Sequence, residues 1–164
     1  MFPISLHVRI ITKILIFNCE NIVEYVMQIR ELDLKELPEA YEVLSQLRVE
    51  LDYKEFEDLV YEMRHKDYKM IGIFEGPELV TYAGVFVQTN LYHKRHLFVD
   101  DLVTYDSFRS RGYGDAMIDY LINYAKIAMC ENIVLSSGLQ RVEAHKFYEK
   151  MGFDKKSYTF VKAI

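Results

Sequence analysis

The chain is predicted to form an α/β domain around a mixed sheet, with elements in the order β-α-α-β-β-β-α-β-α-β. Three observations lead there. Short apolar runs rich in β-branched residues alternate with segments whose apolar residues recur at helical spacing. The Glu75-Gly-Pro-Glu turn joins two such runs so closely that they must pair antiparallel. Strand, helix and strand then follow between His96 and Ser136, which makes a right-handed βαβ unit with a parallel strand pair.

The first strand is read at Gln28 to Leu32, where polar and apolar residues alternate. Asp33 follows as a cap, and Glu36 to Leu47 carries Leu37, Ala40, Tyr41, Leu44 and Leu47 on one helical face, with Pro38 in the first turn, where a missing N–H costs little. Asp52 caps a second helix, Tyr53 to His65, whose inner face holds Phe56, Leu59, Val60 and Met63. Met70 to Phe74 and Leu79 to Asn90 are strands, Tyr92 to Arg95 a polar link, and His96 to Thr104 the central strand. The third helix ends near Cys130, and Asn132 to Ser136 is the next strand. Val142 to Met151 is a fourth helix closed by Gly152, and Phe153 to Lys156 with Tyr158 to Val161 finishes the sheet.

At 164 residues the chain suits one domain, and 51% apolar with 27% charged residues is a soluble globular composition. A formal net charge of -5 argues against bulk electrostatic binding to nucleic acid and mildly favours a cationic partner. Cys19 and Cys130 make neither a disulfide framework nor a metal cluster and read as small apolar residues; His65, His93 and His96 show no metal spacing. No metal is expected. The apolar piece VRIITKILIF is interrupted by Lys13, lacks a small-x-small cleavage pattern after Phe17 and is too short to span a bilayer, so a cytoplasmic protein without membrane association is expected. Met27-Gln-Ile-Arg looks like the start of a domain. Residues 1–26 are therefore read as an extension of uncertain structure or the product of an upstream start codon, with an extra edge strand as the alternative, and residues 27–164 as the domain.

Arg109-Ser110-Arg111-Gly112-Tyr113-Gly114 bears the first chemical signal. It joins a strand to a helix start, where backbone N–H groups are free and suit a pyrophosphate. A dinucleotide fingerprint fails because Met117 occupies the third glycine position, and no Gly-Lys-Ser/Thr follows to make a P-loop. An ordinary glycine turn with a solvated arginine pair remains the plain alternative. The second signal is Arg141-Val-Glu-Ala144-His145-Lys-Phe147-Tyr148-Glu-Lys150-Met-Gly152-Phe153.

Together the two segments resemble the GNAT superfamily of acetyl-CoA-dependent N-acetyltransferases. The family's Arg/Gln-x-x-Gly-x-Gly/Ala loop is matched by Arg109, Gly112 and Gly114. Its later segment is matched by Ala144, Phe147, Tyr148, Lys150, Gly152 and Phe153, while Arg141 stands where asparagine is frequent. The resemblance runs from Met27 to the C-terminus. It implies a mostly antiparallel central sheet flanked by helices, with a splayed parallel strand pair at the cofactor site. It also implies acetyl-CoA as acetyl donor, its pantetheine arm on the backbone of Leu102, Val103 and Thr104 and its pyrophosphate on Arg109, Ser110, Arg111, Gly112, Tyr113, Gly114 and Asp115, with Arg141 and His145 flanking it.

Tyr148 then becomes the acid that protonates the leaving sulfur, although its place on an apolar stripe also suits a core residue. Asp100 and Asp101 are the candidate bases, with His145 behind them; alternation puts the two acids on opposite sheet faces unless a bulge intervenes, and Asp101 is preferred because the family often has an acid there. Glu50, Asp52 and Asp58 are available to attract a cationic amine or simply to be solvated. The expected activity is acetyl transfer to a primary amine by direct attack in a ternary complex. The alternative is a non-catalytic acyl-CoA-binding or regulatory module on the same fold. The acceptor, a small molecule or a protein amine, is not identified by any motif, and an edge-strand or C-terminal homodimer is common among such proteins.

Overall fold

A computed structural model of the chain describes residues 10–15 and 24–164, with side chains from Met27 onward. Cys19 and the segment around Phe17 lie outside the described residues. Six strands lie side by side in chain order: β1 Ile10–Leu15, β2 Glu24–Glu31, β3 Lys69–Glu75, β4 Glu78–Asn90, β5 Lys94–Thr104 and β6 Asn132–Leu135. Neighbours pair antiparallel from β1 to β5, and β5 pairs parallel with β6. Four helices accompany them: α1 Leu37–Leu44, α2 Tyr53–Arg64, α3 Tyr113–Ile127 and α4 Val142–Lys150. This is the mixed, mostly antiparallel class expected, and no described helix is long and apolar enough to cross a membrane.

Local chemistry explains the helix starts. The Glu36 carboxylate accepts from the Asp33 N–H at 2.8 Å and from the Arg30 guanidinium at 2.6 and 2.9 Å, so the turn before α1 is tied to β2. Pro38 sits in the first turn of α1. The Asp52 side chain accepts from the Glu55 N–H at 2.8 Å and caps α2 as the sequence predicts. Helix α1 stops at Leu44, short of the expected Leu47, which leaves residues 45–52 as a link along the sheet.

The sheet separates two cores. Ile29, Ile71, Ile73, Val85, Leu97 and Val99 face α3, which answers with Met117, Tyr120, Leu121 and Ala125. On the other face Met70, Phe74, Tyr82 and Val103 pack against Leu37, Ala40, Val43 and Leu44 of α1 and against Phe56 and Val60 of α2. Burial on both faces is why β3 and β4 read as nearly continuous apolar runs. Leu59, predicted for the inner face of α2, stays 41% exposed.

Two departures from the expected sheet matter. The predicted last strand within Phe153 to Val161 is not formed, so the observed order ends on α4. Tyr158, Phe160 and Val161 remain exposed, and the Thr159 hydroxyl meets that of Ser136, just past β6, at 3.4 Å. These side chains bury no face against the sheet, and the charges nearby pair locally, Lys155 with Glu149 and Lys156 with Asp154. The second departure lies in β5. Gly84 faces Asp101 and Val85 faces Val99, so Asp100 is an extra residue, a β-bulge.

The bulge is buttressed from α2's end of the core. An added Cβ on Gly84 would lie 1.8 Å from the Tyr68 hydroxyl, which is buried and bonded to the Tyr82 hydroxyl at 2.7 Å. Gly84→Ala is therefore expected to destabilise the fold by about 1–3 kcal/mol, the usual range for overpacking, read as a lower urea midpoint with an unchanged slope.

Candidate functional site

The site begins where β5 loses a neighbour. β6 pairs with β5 only from His96 to Val99. From Asp100 to Thr104, β5 keeps β4 on one edge and has no described strand on the other. Leu102, Val103 and Thr104 lie along this opening. The Val103 side chain is buried against the α1 side, and the Thr104 hydroxyl meets that of Thr81 at 2.9 Å. What the gap offers is therefore backbone, the polar groups that an extended ligand can bond as an added strand.

The chain leaves β5 through a single 3₁₀ turn, Asp106–Phe108, and enters α3. Ser110 (φ 62) and Gly112 (φ 85) both adopt left-handed backbone on either side of Arg111. That pattern turns successive N–H groups into one concavity, and only glycine takes it without strain. The first described backbone bond of the helix runs from the Ala116 N–H to the Gly112 carbonyl at 3.0 Å. The N–H groups of residues 110–115 make no hydrogen bond to another described residue. They lie at the positive end of a 15-residue helix, where the backbone favours negative charge.

Side chains hold this loop in shape. The Tyr113 hydroxyl donates to Glu75 at 2.6 Å, and burial, then that bond, pushes its phenol pKa up. Arg111 lies over the Phe108 ring, 4.9 Å from its centroid, and Arg109 pairs with Asp106 while its Nε donates to the Thr104 carbonyl at 3.3 Å. Both guanidinium groups remain exposed. A Cβ on Gly114 would meet the Phe147 ring at 3.1 Å, so this glycine serves the close packing of α4 on α3. Asp115 pairs with Lys150 of α4 at 2.9 Å.

Helix α4 brings the second sequence motif to the same place. His145 Nε2 lies 2.9 Å from the Gly138 carbonyl and pins the preceding loop. Arg141 reaches across to the α1–α2 link, where its Nη2 donates to the Leu47 carbonyl at 3.3 Å. Tyr148 packs between the Phe147 and Phe153 rings. Burial pushes its phenol pKa up, and the charge of Arg141 opposes the shift.

The bulge puts both acids on one face. Without the extra residue, Asp101 would follow Val99 to the α3 side; with it, Asp101 joins Val103 on the α1–α2 side, where Asp100 also points. Both carboxylates line a cavity of about 530 Å³ whose other walls come from α1, the 45–52 link and α2. Asp101 is buried, and its carboxylate accepts from Arg48 Nε at 2.7 Å; Arg48 also donates to the Asp100 carbonyl at 3.2 Å. Burial raises the Asp101 pKa, while the Arg48 charge pulls it back.

Of the three acids proposed to attract a cation, Glu50 lines this cavity, Asp52 is used as a helix cap, and Asp58 is exposed and paired with Lys54 at 2.6 Å. Arg48, Glu55 and Tyr68 also line it and were not foreseen from the sequence. Glu55 was within reach, since it stands four residues before Leu59 on the helical wheel. Nothing local marks Arg48, which meets Asp101 across 53 residues of chain.

The site thus combines a parallel strand pairing that ends at Val99, a helix start with free N–H groups and an acidic cavity beside the open strand edge. The chain belongs to the acetyltransferase (GNAT) family, whose match covers residues 26–153. It is 36% identical over 132 residues to an uncharacterized N-acetyltransferase, YhdJ, of Bacillus subtilis, covering 79% of this chain and 93% of that protein. It is 23% identical over 142 residues to an aminoalkylphosphonate N-acetyltransferase of Salmonella typhimurium, covering 85% and 92%. In fold it is similar to the aminoglycoside N-acetyltransferase AAC(6')-Iy solved with CoA, with a TM-score of 0.76 at 14% identity, covering 85% of this chain and 95% of that one.

The Arg48–Asp101 pair gives a titration with a definite sign. A carboxyl whose folded pKa is raised adds stability below its unfolded pKa and loses it as pH rises through the folded value. Arg48 opposes that loss. Arg48→Gln should move the Asp101 midpoint further up, seen by carboxyl-carbon NMR, and should lower stability at neutral pH relative to mildly acidic pH.

Proposed function

We propose that the protein transfers an acetyl group from acetyl-CoA to a primary amine by direct attack in a ternary complex. The observation that carries this reading is the open edge of β5 from Asp100 to Thr104, which adjoins the Asp101 cavity and runs on into the N–H cluster of residues 110–115. These residues suit acetyl-CoA because an amide-bearing arm needs free backbone partners and a pyrophosphate needs convergent N–H donors. Leu102, Val103 and Thr104 would hold the arm, and residues 110–115 with Arg109 and Arg111 the pyrophosphate. The relatives named as N-acetyltransferases support an amine as acceptor.

When bound, acetyl-CoA supplies an acetyl group activated as a thioester. Asp101 takes the ammonium proton of the acceptor, directly or through a water, so that the nitrogen lone pair is free to attack. Its buried carboxylate is a stronger base than a solvated one. Arg48 keeps that carboxylate aimed at the cavity. Tyr148 supplies the proton that the departing sulfur needs, and the raised pKa of its phenol keeps it protonated until then. Direct attack is supported by the position of Cys130, just past the C-terminal end of α3 and so at the opposite end of that helix from the N–H cluster.

The second reading, a non-catalytic acyl-CoA-binding module, rests on Arg48, which already occupies the candidate base. Thiol release with a panel of amines separates the two: an enzyme releases CoA in step with amine, whereas a sensor binds acetyl-CoA in the calorimeter and releases none. In the enzyme, Tyr148→Phe should lower kcat by about 10²-fold or more with acetyl-CoA affinity nearly intact; an unchanged kcat removes Tyr148 as the acid. Asp101→Asn should abolish the acidic limb of the pH–rate profile, and persistence of that limb excludes Asp101 as the base.

A further inference from the structure

The cavity beside Asp101 has a chemical character that the proposed reaction does not require. Its floor is apolar, with Phe56 and Val60 buried beneath it and Leu47 and Met63 beside them. Leu59 projects from α2 at its edge, 41% exposed. Four carboxylates line it: Asp100 and Asp101 from the β5 side, Glu50 from the link and Glu55 from the first turn of α2. Arg48 is the sole basic residue among its described lining residues, and its charge is committed to Asp101 at 2.7 Å.

We infer that the acceptor is a small amphipathic amine, one ammonium group carrying an uncharged alkyl or aralkyl body; this inference rests on the acetyl-transfer reading above. The carboxylates on the β5 side attract the ammonium group and hold it next to the open strand edge. The body then lies along the leucine, phenylalanine and methionine wall from α2, where each buried methylene contributes to binding. A phosphonate or carboxylate on the acceptor would meet like charge, since the one basic lining residue is already paired, and the further ammonium groups of a polyamine would have only Glu50 and Glu55 to meet on an otherwise apolar wall. A volume of about 530 Å³ suits a small molecule and not a folded protein surface.

Straight-chain primary amines from propylamine to octylamine, with phenethylamine, are assayed by thiol release against spermidine, aminomethylphosphonate, kanamycin and an alanine-started peptide. The expected result is a rise in kcat/KM of roughly fourfold per methylene until the cavity is filled, with the polar amines far below octylamine. Leu59→Ser, at an exposed position that leaves the fold intact, should flatten that slope. Binding is read separately by calorimetry with N,N-dimethylalkylamines, tertiary amines that cannot end as a neutral amide; their affinity should climb with chain length in the same way. A chain-length dependence of binding with no transfer to any amine would uphold the pocket assignment and sink the acetyl-transfer reading. Transfer that favours spermidine, the phosphonate, kanamycin or the peptide, with no rise along the alkyl series, would overturn the inference and leave acetyl transfer standing. A flat binding series together with no thiol release overturns both.

Discussion

β5 is paired on both edges as far as Val99, and there two things happen at once. It gains one residue against β4, and it loses β6. A strand with a period of two cannot absorb an extra residue without turning its later side chains over. Asp101 is thereby moved from the α3 core to the α1–α2 side, while the backbone beyond it is left open on one edge. The fold accepts this because β4 continues to pair through Thr104, and because Gly84 opposite the bulge lets the Tyr68 hydroxyl pack against the strand. Every part of the candidate site lies on or against the segment that follows: the open edge, the turn into α3, and the wall of the cavity.

Charge is divided along the same line. One end of the opening carries Arg109, Arg111 and the free N–H groups of a helix start; the other carries Asp100, Asp101, Glu50 and Glu55. The formal charge of -5 conceals this separation, because an average over the surface has no direction. Two arginines join the halves. Arg48 ties the 45–52 link to β5 through Asp101, and Arg141 ties the start of α4 to the same link through the Leu47 carbonyl. Arg141 also acts electrostatically on both Tyr148 and Asp101, opposing the rise that burial causes in each. A position where asparagine is frequent in the family thus holds, in this chain, a cation whose charge reaches both the candidate acid and the candidate base.

Some residues served a purpose other than the one their spacing suggested. Gly114 matches a ligand-approach motif, yet its missing Cβ makes room for Phe147 of α4. Tyr113 sits in the same loop and is anchored into the body of the protein through Glu75. Asp52 was legible as a helix cap and as a cation-attracting acid, and the Glu55 N–H claims it as a cap. In each case the motif located the right place in the chain, and a neighbour from a distant segment decided what the side chain does there.

Periodicity, caps and two glycine-bearing motifs were sufficient to determine the mixed α/β class, the four helices, the order of the central elements and the family. These are properties of contiguous stretches, in which residue spacing alone decides which face is apolar and where backbone N–H groups are left over. The tertiary structure decided the rest. Tyr158 to Val161 has the apolar, aromatic composition of a strand, but a strand also needs a partner edge and a face to bury, and neither is encoded in the segment itself. The bulge at Asp100 depends on register against β4, and the Arg48–Asp101 pair spans 53 residues. Long-range register and long-range pairing have no period along the chain, so the strand–loop–helix part of the candidate site could be read from the sequence and the Arg48–Asp101 cavity only from the fold.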